Sequence, residues 1–302
     1  MEGMGWIDAH SHVWTRYVER YPLRTGVELD SVSAGFTVGS WTAEELLEAG
    51  AACNITKAVL ISHSSIYGFD NSYMIDSVAR YPGKFRCVGG IDHDELPPEA
   101  VEAAMRSMLG QGVTGFRIER GSWEKGDAAW LGSRGMERMW TVAAETRQAI
   151  CCMVHPEDLK NIGAMCERFP MTTVVIDHLG SIGENKCFGG SGIIEDWEVQ
   201  ALLDLAKHPR TYIKISAFYA LGSGVAPYDD LLPAIHRVIA KFGVERCMWA
   251  SDCPYQVCDA CPVVLGFNLT NTTLMDKIYP TVANPRRCTR SQALFRGRSK
   301  AV

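Results

Sequence analysis

Short runs rich in Val, Ile and aromatic residues recur along the chain, each followed by a longer stretch whose apolar residues return every three or four positions. Runs of the first kind suit parallel strands buried on both faces, and stretches of the second kind suit amphipathic helices packed against them. The pattern predicts strands at Trp6 to His10, Lys57 to Ser62, Phe85 to Ile91, Val113 to Ile118, Ala149 to Val154, Thr173 to Ile176, Thr211 to Ile215 and Cys247 to Ala250. Between them it predicts helices near Thr42 to Ala51, Asn71 to Tyr81, Pro97 to Gln111, Ser133 to Glu145, Pro156 to Phe169, Glu195 to His208 and Asp229 to Phe242. Thr42 with Glu45 three residues on reads as a capping box, and Pro97, Pro98 and Pro156 suit helix starts. This regular alternation predicts an α/β protein, a (β/α)8 TIM barrel forming a single domain over residues 1–302, because no linker rich in Pro, Gly and Ser divides the chain. The stretches near 13–39 and 181–194 lack a clear period and are the expected loops at the barrel mouth.

With 302 residues, 47% of them hydrophobic, the chain can bury a large core. Its net charge of −5 and the lack of a basic stripe interleaved with aromatics argue against a nucleic-acid partner. Arg286, Arg287, Arg290, Arg296 and Arg298 read as a solvated tail. No apolar run reaches the roughly 18 residues of a membrane span, and the first residues lack the basic-then-apolar layout of a signal peptide. A cytoplasmic protein with no membrane partner is therefore expected. The eleven cysteines are odd in number, and Cys151, Cys152 and Cys247 lie inside apolar runs, so reduced thiols are expected. Cys258 and Cys261, just past Cys253, have a Cys-x-x-Cys spacing, but no second pair completes a structural zinc site.

Catalytic groups of such a barrel collect at the C-terminal ends of its strands. Chemically capable side chains fall there: His10 and His12 at the first strand, His63 after the second, Arg117 and Glu119 at the fourth, His155 at the fifth, His178 at the sixth and Asp252 at the eighth. Residues two apart on a strand face the same way, so His10 and His12 offer half of a divalent metal site or a polar clamp for a carbonyl. Arg117 shares its parity with Glu119, so both should face the lumen. There the guanidinium is either a fork for a carboxylate or the partner of Glu119 in a structural ion pair.

Together with these residues, Ile7-Asp8-Ala9-His10-Ser11-His12, Ile66-Tyr67-Gly68-Phe69-Asp70-Asn71, Gly115-Phe116-Arg117, Val175-Ile176-Asp177-His178-Leu179-Gly180 and Ala250-Ser251-Asp252-Cys253-Pro254 follow one another in order. In this the chain resembles the amidohydrolase superfamily, specifically its amidohydrolase-2 branch of lactonase-like and decarboxylase-like members. The resemblance implies a hydrolase that opens a lactone or similar cyclic ester, from a sugar acid or an aromatic-degradation intermediate. Its partner would be a small-molecule substrate, in one form carboxylated. It implies one divalent metal ion, zinc or else manganese, held by His10, His12, His155 and Asp252, with a position left open for water. Asp252 would also accept the proton of the attacking water, and His178 would polarise the substrate carbonyl. Substrate contacts are expected from Arg117, His63, Tyr67 and Asn71, with a helix N-cap as the other reading of Asn71. No lysine ends the fourth strand, where binuclear relatives carry a carboxylated one, so one metal is expected rather than two; some lactonases of the branch work with none. Two other readings stand beside this one: a metal-dependent decarboxylase of an unsaturated carboxylic acid, and a non-catalytic binding protein on an inherited barrel.

Overall fold

The computed structural model describes residues 5–255, apart from 31, 34, 35, 38, 122 and 123. Cys258, Cys261 and the arginine-rich stretch beyond them lie outside the described residues. The barrel strands are β1 (Trp6–Ser11), β2 (Ile55–Ile61), β3 (Phe85–Gly89), β4 (Val113–Glu119), β5 (Ala149–Met153), β6 (Val174–Ile176), β7 (Thr211–Ile215) and β8 (Cys247–Trp249). They form one eight-stranded sheet in sequence order, and every neighbouring pair is parallel. The helices are α1 (Ala43–Ala52), α2 (Ser64–Tyr67), α3 (Ser72–Arg80), α4 (Pro98–Leu109), α5 (Arg134–Thr146), α6 (Leu159–Arg168), α7 (Asp196–Asp204) and α8 (Leu232–Phe242). This is the (β/α)8 barrel that the alternation predicts. At α1 the capping box is present: Glu45 N donates to Thr42 Oγ1 at 3.2 Å, and Thr42 N donates to Glu45 Oε2 at 2.8 Å.

Strand residues of alternate parity separate into two apolar sets. Leu60, Cys87, Ile150, Cys152, Val174 and Ile176 join the large core shared with the helices. Their neighbours Ile61, Val88, Cys151 and Val175 form a second cluster, which alternation places inside the barrel. Two charged residues share this parity: Arg117 on β4, the register partner of Cys151, and Lys214 on β7, two residues beyond the partner of Val175. Cys87, Cys151, Cys152, Cys166, Cys247 and Cys253 form no disulfide, and burial pushes the Cys151 thiol up to about 12, so it packs as an uncharged side chain.

The barrel closes where the site will be built. Past β8 the chain continues alongside β1: Asp252 N donates to His10 O at 2.9 Å, and His12 N donates to Cys253 O at 2.7 Å. Asp8, fully buried, fastens the same seam. Its Oδ1 accepts from His10 N at 3.1 Å and Ser251 N at 2.9 Å, and its Oδ2 accepts from Ser11 Oγ at 2.6 Å and from Ser251 Oγ.

Of the two expected mouth loops, the first carries a small hairpin, Val32–Ser33 with Phe36–Thr37. The second is held firmly. Asn185 N donates to Ala220 O at 2.9 Å, and Gly222 N donates to Gly183 O at 2.7 Å, which ties the loop after β6 to the loop after β7.

Candidate active site

Backbone bends at the strand ends aim the functional side chains inward. His178, Leu179, Gly180 and Ser181 follow β6 in the left-handed region, with φ of 52°, 55°, 65° and 56°. Ala217 after β7 (φ 53°) and Asp252 after β8 (φ 58°) adopt the same conformation. Each non-glycine residue there costs about 1–2 kcal/mol, a strain that persists only where surrounding packing enforces it and that gathers at functional sites. The result is a cavity of about 210 Å³ lined by His12, His63, Arg117, His178, Tyr219 and Asp252, among others, with Met153, Phe188, Leu221 and Tyr255 as apolar wall.

At its base three donor atoms converge. His10 Nε2 lies 3.2 Å from His12 Nε2 and 3.5 Å from Asp252 Oδ1, and His12 Nε2 lies 3.3 Å from the same oxygen. His12 Nδ1 is 2.9 Å from Ile61 O, a carbonyl that can only accept, so Nδ1 carries a proton and Nε2 is the ring atom that faces Asp252. The buried Asp252 Oδ1 has no hydrogen-bond partner, and His10 stands between it and Asp177 Oδ1, its Nδ1 3.6 Å from the latter, an oxygen that pairs with Lys214. His10 Nδ1 also lies 3.2 Å from Lys214 Nζ; a tautomer with its proton on Nδ1, facing Asp177, would leave Nε2 free for a cation. Tetrahedral ligands at bonds near 2.1 Å are about 3.4 Å apart, close to the three separations here. The donor set therefore fits one divalent cation on His10, His12 and Asp252.

Charge around this base is dense. Lys214 Nζ lies 2.9 Å from Asp177 Oδ1 and 3.2 Å from His10 Nδ1, while Arg117 Nε donates to Asp177 Oδ2 at 3.2 Å. Burial works to raise Asp177, but Lys214, His10 and Arg117 overcome it and hold the carboxyl well below the usual range. Burial, reinforced by Lys214, lowers His10, and burial likewise lowers His63 and His178, so these imidazoles are held neutral. At Asp252 burial is again outweighed, by His178, His12 and His10, and Tyr219 Oη donates to its Oδ2 at 2.6 Å; the group is a carboxylate. His178 presents Nε2 to the cavity 3.9 Å from Asp252 Oδ1 and is steadied at Nδ1 by Ser216 Oγ at 2.8 Å.

Six residues expected from the sequence are thus brought together: His10, His12, His63, Arg117, His178 and Asp252. Three are not. His155, expected as a fourth ligand, heads the 3-10 turn Pro156–Asp158 just past β5, and its Nδ1 lies 3.6 Å from Glu184 Oε2. It is not among the groups whose ligand atoms converge. Tyr67, expected at the substrate, is buried with its hydroxyl accepting from Thr15 N at 3.0 Å. Asn71 stands at the N-cap position of α3 but makes no side-chain cap; it donates to Gly90 O at 2.9 Å and accepts from Gly90 N at 2.8 Å, joining α3 to the end of β3. Neither lines the cavity. Arg117 pairs chiefly with Asp177, and Glu119 is farther, at 3.7 Å.

Lys214, Asp177 and Tyr219 were not expected at the site. A lysine between Ile213 and Ile215 in a barrel strand was a usable signal, because its neighbours face the helices and leave it the lumen. Tyr219 lies in a short turn beyond β7 and gives no periodic signal at all.

Comparison with known proteins agrees with this architecture. The 4-sulfomuconolactone hydrolase of Hydrogenophaga intermedia is 25% identical over 256 residues, covering 82% of this chain and 74% of that protein. A putative 2-pyrone-4,6-dicarboxylic acid hydrolase from Pseudomonas putida superposes with a TM-score of 0.64 at 22% identity, covering 84% of each chain. An amidohydrolase from Burkholderia multivorans with bound zinc superposes at 0.68 with 17% identity over 93% of each chain. The profile of the family described as Amidohydrolase matches residues 7–260. With that match across most of its length, on an eight-stranded parallel barrel, the chain belongs to the amidohydrolase-2 family.

Proposed function

We propose that this protein is a hydrolase that opens the ring of a carboxylated lactone, with Asp252 as the general base. The observation that carries the reading is the buried Asp252 Oδ1, unpartnered and turned toward His10 and His12 at the base of a cavity that also holds Arg117. Relatives named as hydrolases of a sulfomuconolactone and a pyrone dicarboxylate support a cyclic ester as the substrate class.

His10, His12 and Asp252 would hold one divalent cation, for which zinc suits the mixed N/O set best; bound there it supplies Lewis acidity to a water or a carbonyl oxygen. Arg117 offers its planar fork to the substrate carboxylate and sets the ring's orientation in the cavity. Asp252 Oδ1 accepts the proton of the attacking water and passes it to the ring oxygen as the acyl bond breaks. His178, neutral and with Nε2 facing the cavity, donates to the carbonyl oxygen as negative charge develops there; losing such a donor costs about 2.7–4 kcal/mol of transition-state stabilisation. His63 and Tyr255 close the wall behind the water and keep the base dry.

A panel of lactones with and without a ring carboxylate, followed by proton release, tests the reading. Turnover of a carboxylated lactone and its loss in Asp252→Asn are expected. No turnover above background, or wild-type rates in Asp252→Asn, sinks it, and release of carbon dioxide from an unsaturated acid would replace it with decarboxylation.

A further inference from the structure

We propose that Tyr219 is a positioning residue for Asp252: its hydroxyl takes the Oδ2 oxygen and so fixes Oδ1 as the one that works on water. The inference rests on the catalytic reading of Asp252 above. A carboxylate turns easily about its last torsion, which is broad and nearly two-fold, so the two oxygens are interchangeable unless something distinguishes them. Here one thing does. Tyr219 Oη donates to Oδ2 at 2.6 Å, while Oδ1 has no hydrogen-bond partner and faces both imidazoles.

The tyrosine is itself immobilised from three directions. Ala217, in the left-handed region, reverses the chain just past β7 and starts the short turn Phe218–Ala220 that carries the ring into the cavity. Asn185 Nδ2, on the loop after β6, donates to Tyr219 O at 2.7 Å. The ring packs between Phe188, at 5.8 Å between centroids, and Tyr255, at 6.4 Å. A carboxylate held through one oxygen by a rigid donor requires little reorganisation when its other oxygen takes the proton, which is where a positioned base gains its rate.

Tyr219→Phe removes only the hydroxyl and keeps the ring against Phe188 and Tyr255. It should lower kcat for lactone hydrolysis at least tenfold while KM stays within about threefold, the pattern of an interaction made only in the transition state. Zinc titration of chelator-stripped protein gives a second readout that needs no substrate, and Tyr219→Phe should weaken uptake about tenfold because the carboxylate that carries the ligand oxygen is no longer held through Oδ2. In an Asp252→Asn background the same substitution should cause no further loss of zinc affinity, since coupled residues do not add. Wild-type kcat together with wild-type zinc affinity in Tyr219→Phe overturns the proposal, as does an equal loss of affinity in both backgrounds. If Tyr219→Phe fails to fold, Asn185→Ala loosens the anchor without touching the hydroxyl; a severalfold fall in kcat at steady KM supports the proposal and an unchanged kcat overturns it. A wild type that takes up zinc but opens no lactone would count against the proposed function while leaving the zinc arm to judge Tyr219, and one that opens lactones without taking up zinc is judged on the kcat arm.

Discussion

Replacing Asp8 tests whether one carboxylate closes the barrel. Its two oxygens accept from two backbone N–H groups, of His10 and Ser251, and from two hydroxyls, of Ser11 and Ser251. In Asp8→Ala the hydroxyls can turn to other acceptors but the N–H groups cannot. Each buried orphan costs about 1–3 kcal/mol, so a loss of about 4 kcal/mol is expected, with the cavity left by the carboxylate adding to it. Asp8→Asn is the control. The amide keeps one acceptor for the two N–H groups, and its NH2 can donate to serine hydroxyls that accept as readily as they donate. Only charge assistance is lost, so about 1–2 kcal/mol is expected. Urea midpoints followed by tryptophan fluorescence measure both losses on one scale. A loss below about 1 kcal/mol in Asp8→Ala, or equal losses in the two variants, would refute the idea that Asp8 fastens β1 to the end of β8. Because the seam carries His10 on one side and Asp252 on the other, Asp8→Ala should also lower activity in whatever fraction stays folded.

Arg117→Met should raise KM for a carboxylated lactone about tenfold to a hundredfold, the worth of a charge-assisted pair, and leave KM for an uncharged analogue unchanged; Arg117→Lys should rescue little, and equal rises for both analogues would assign Arg117 to its pair with Asp177 instead. Burial keeps His63 and His178 neutral, so their folded pKa lies below the unfolded value near 6.5 and the unfolded chain binds more protons as pH falls; stability should therefore drop below about pH 6.5 by up to about 1.4 kcal/mol per unit for each, and a melting temperature that holds steady from pH 7.5 to 5.5 contradicts this. His155→Ala should leave metal content per chain unchanged by elemental analysis, whereas His12→Ala should abolish it; the reverse result would restore His155 as a ligand.

The strands were legible because a strand covered on both faces is largely apolar, and a run such as Ala149–Met153 advertises itself. The helices were nearly as plain, apart from the 3-10 turns that precede α6 and α8 and the four-residue α2, too short to show a period. Much of the site followed from position alone: once a residue falls at a strand's C-terminal end, parity says whether it faces the lumen, as it does for His10 and Arg117, and for His12, one residue past β1, whose N–H still pairs with Cys253 O. Parity stops applying where the strand stops. His155 lies beyond the last residue of β5, in a turn opened by Pro156, and there the alternation that would have aimed it inward no longer holds. The left-handed turn at His178 to Ser181 and the seat of Tyr219 depend on contacts between separate loops, which no local pattern records.

The central claim is that water, activated at Asp252, is added across a lactone bond. A single turnover of a carboxylated lactone in water enriched in heavy oxygen, read by mass spectrometry, tests it most directly. The account predicts one labelled oxygen in the newly formed carboxylate with the carbon skeleton intact, and no labelled product from Asp252→Asn. An unlabelled product, or one that has lost a carboxyl group, would contradict it.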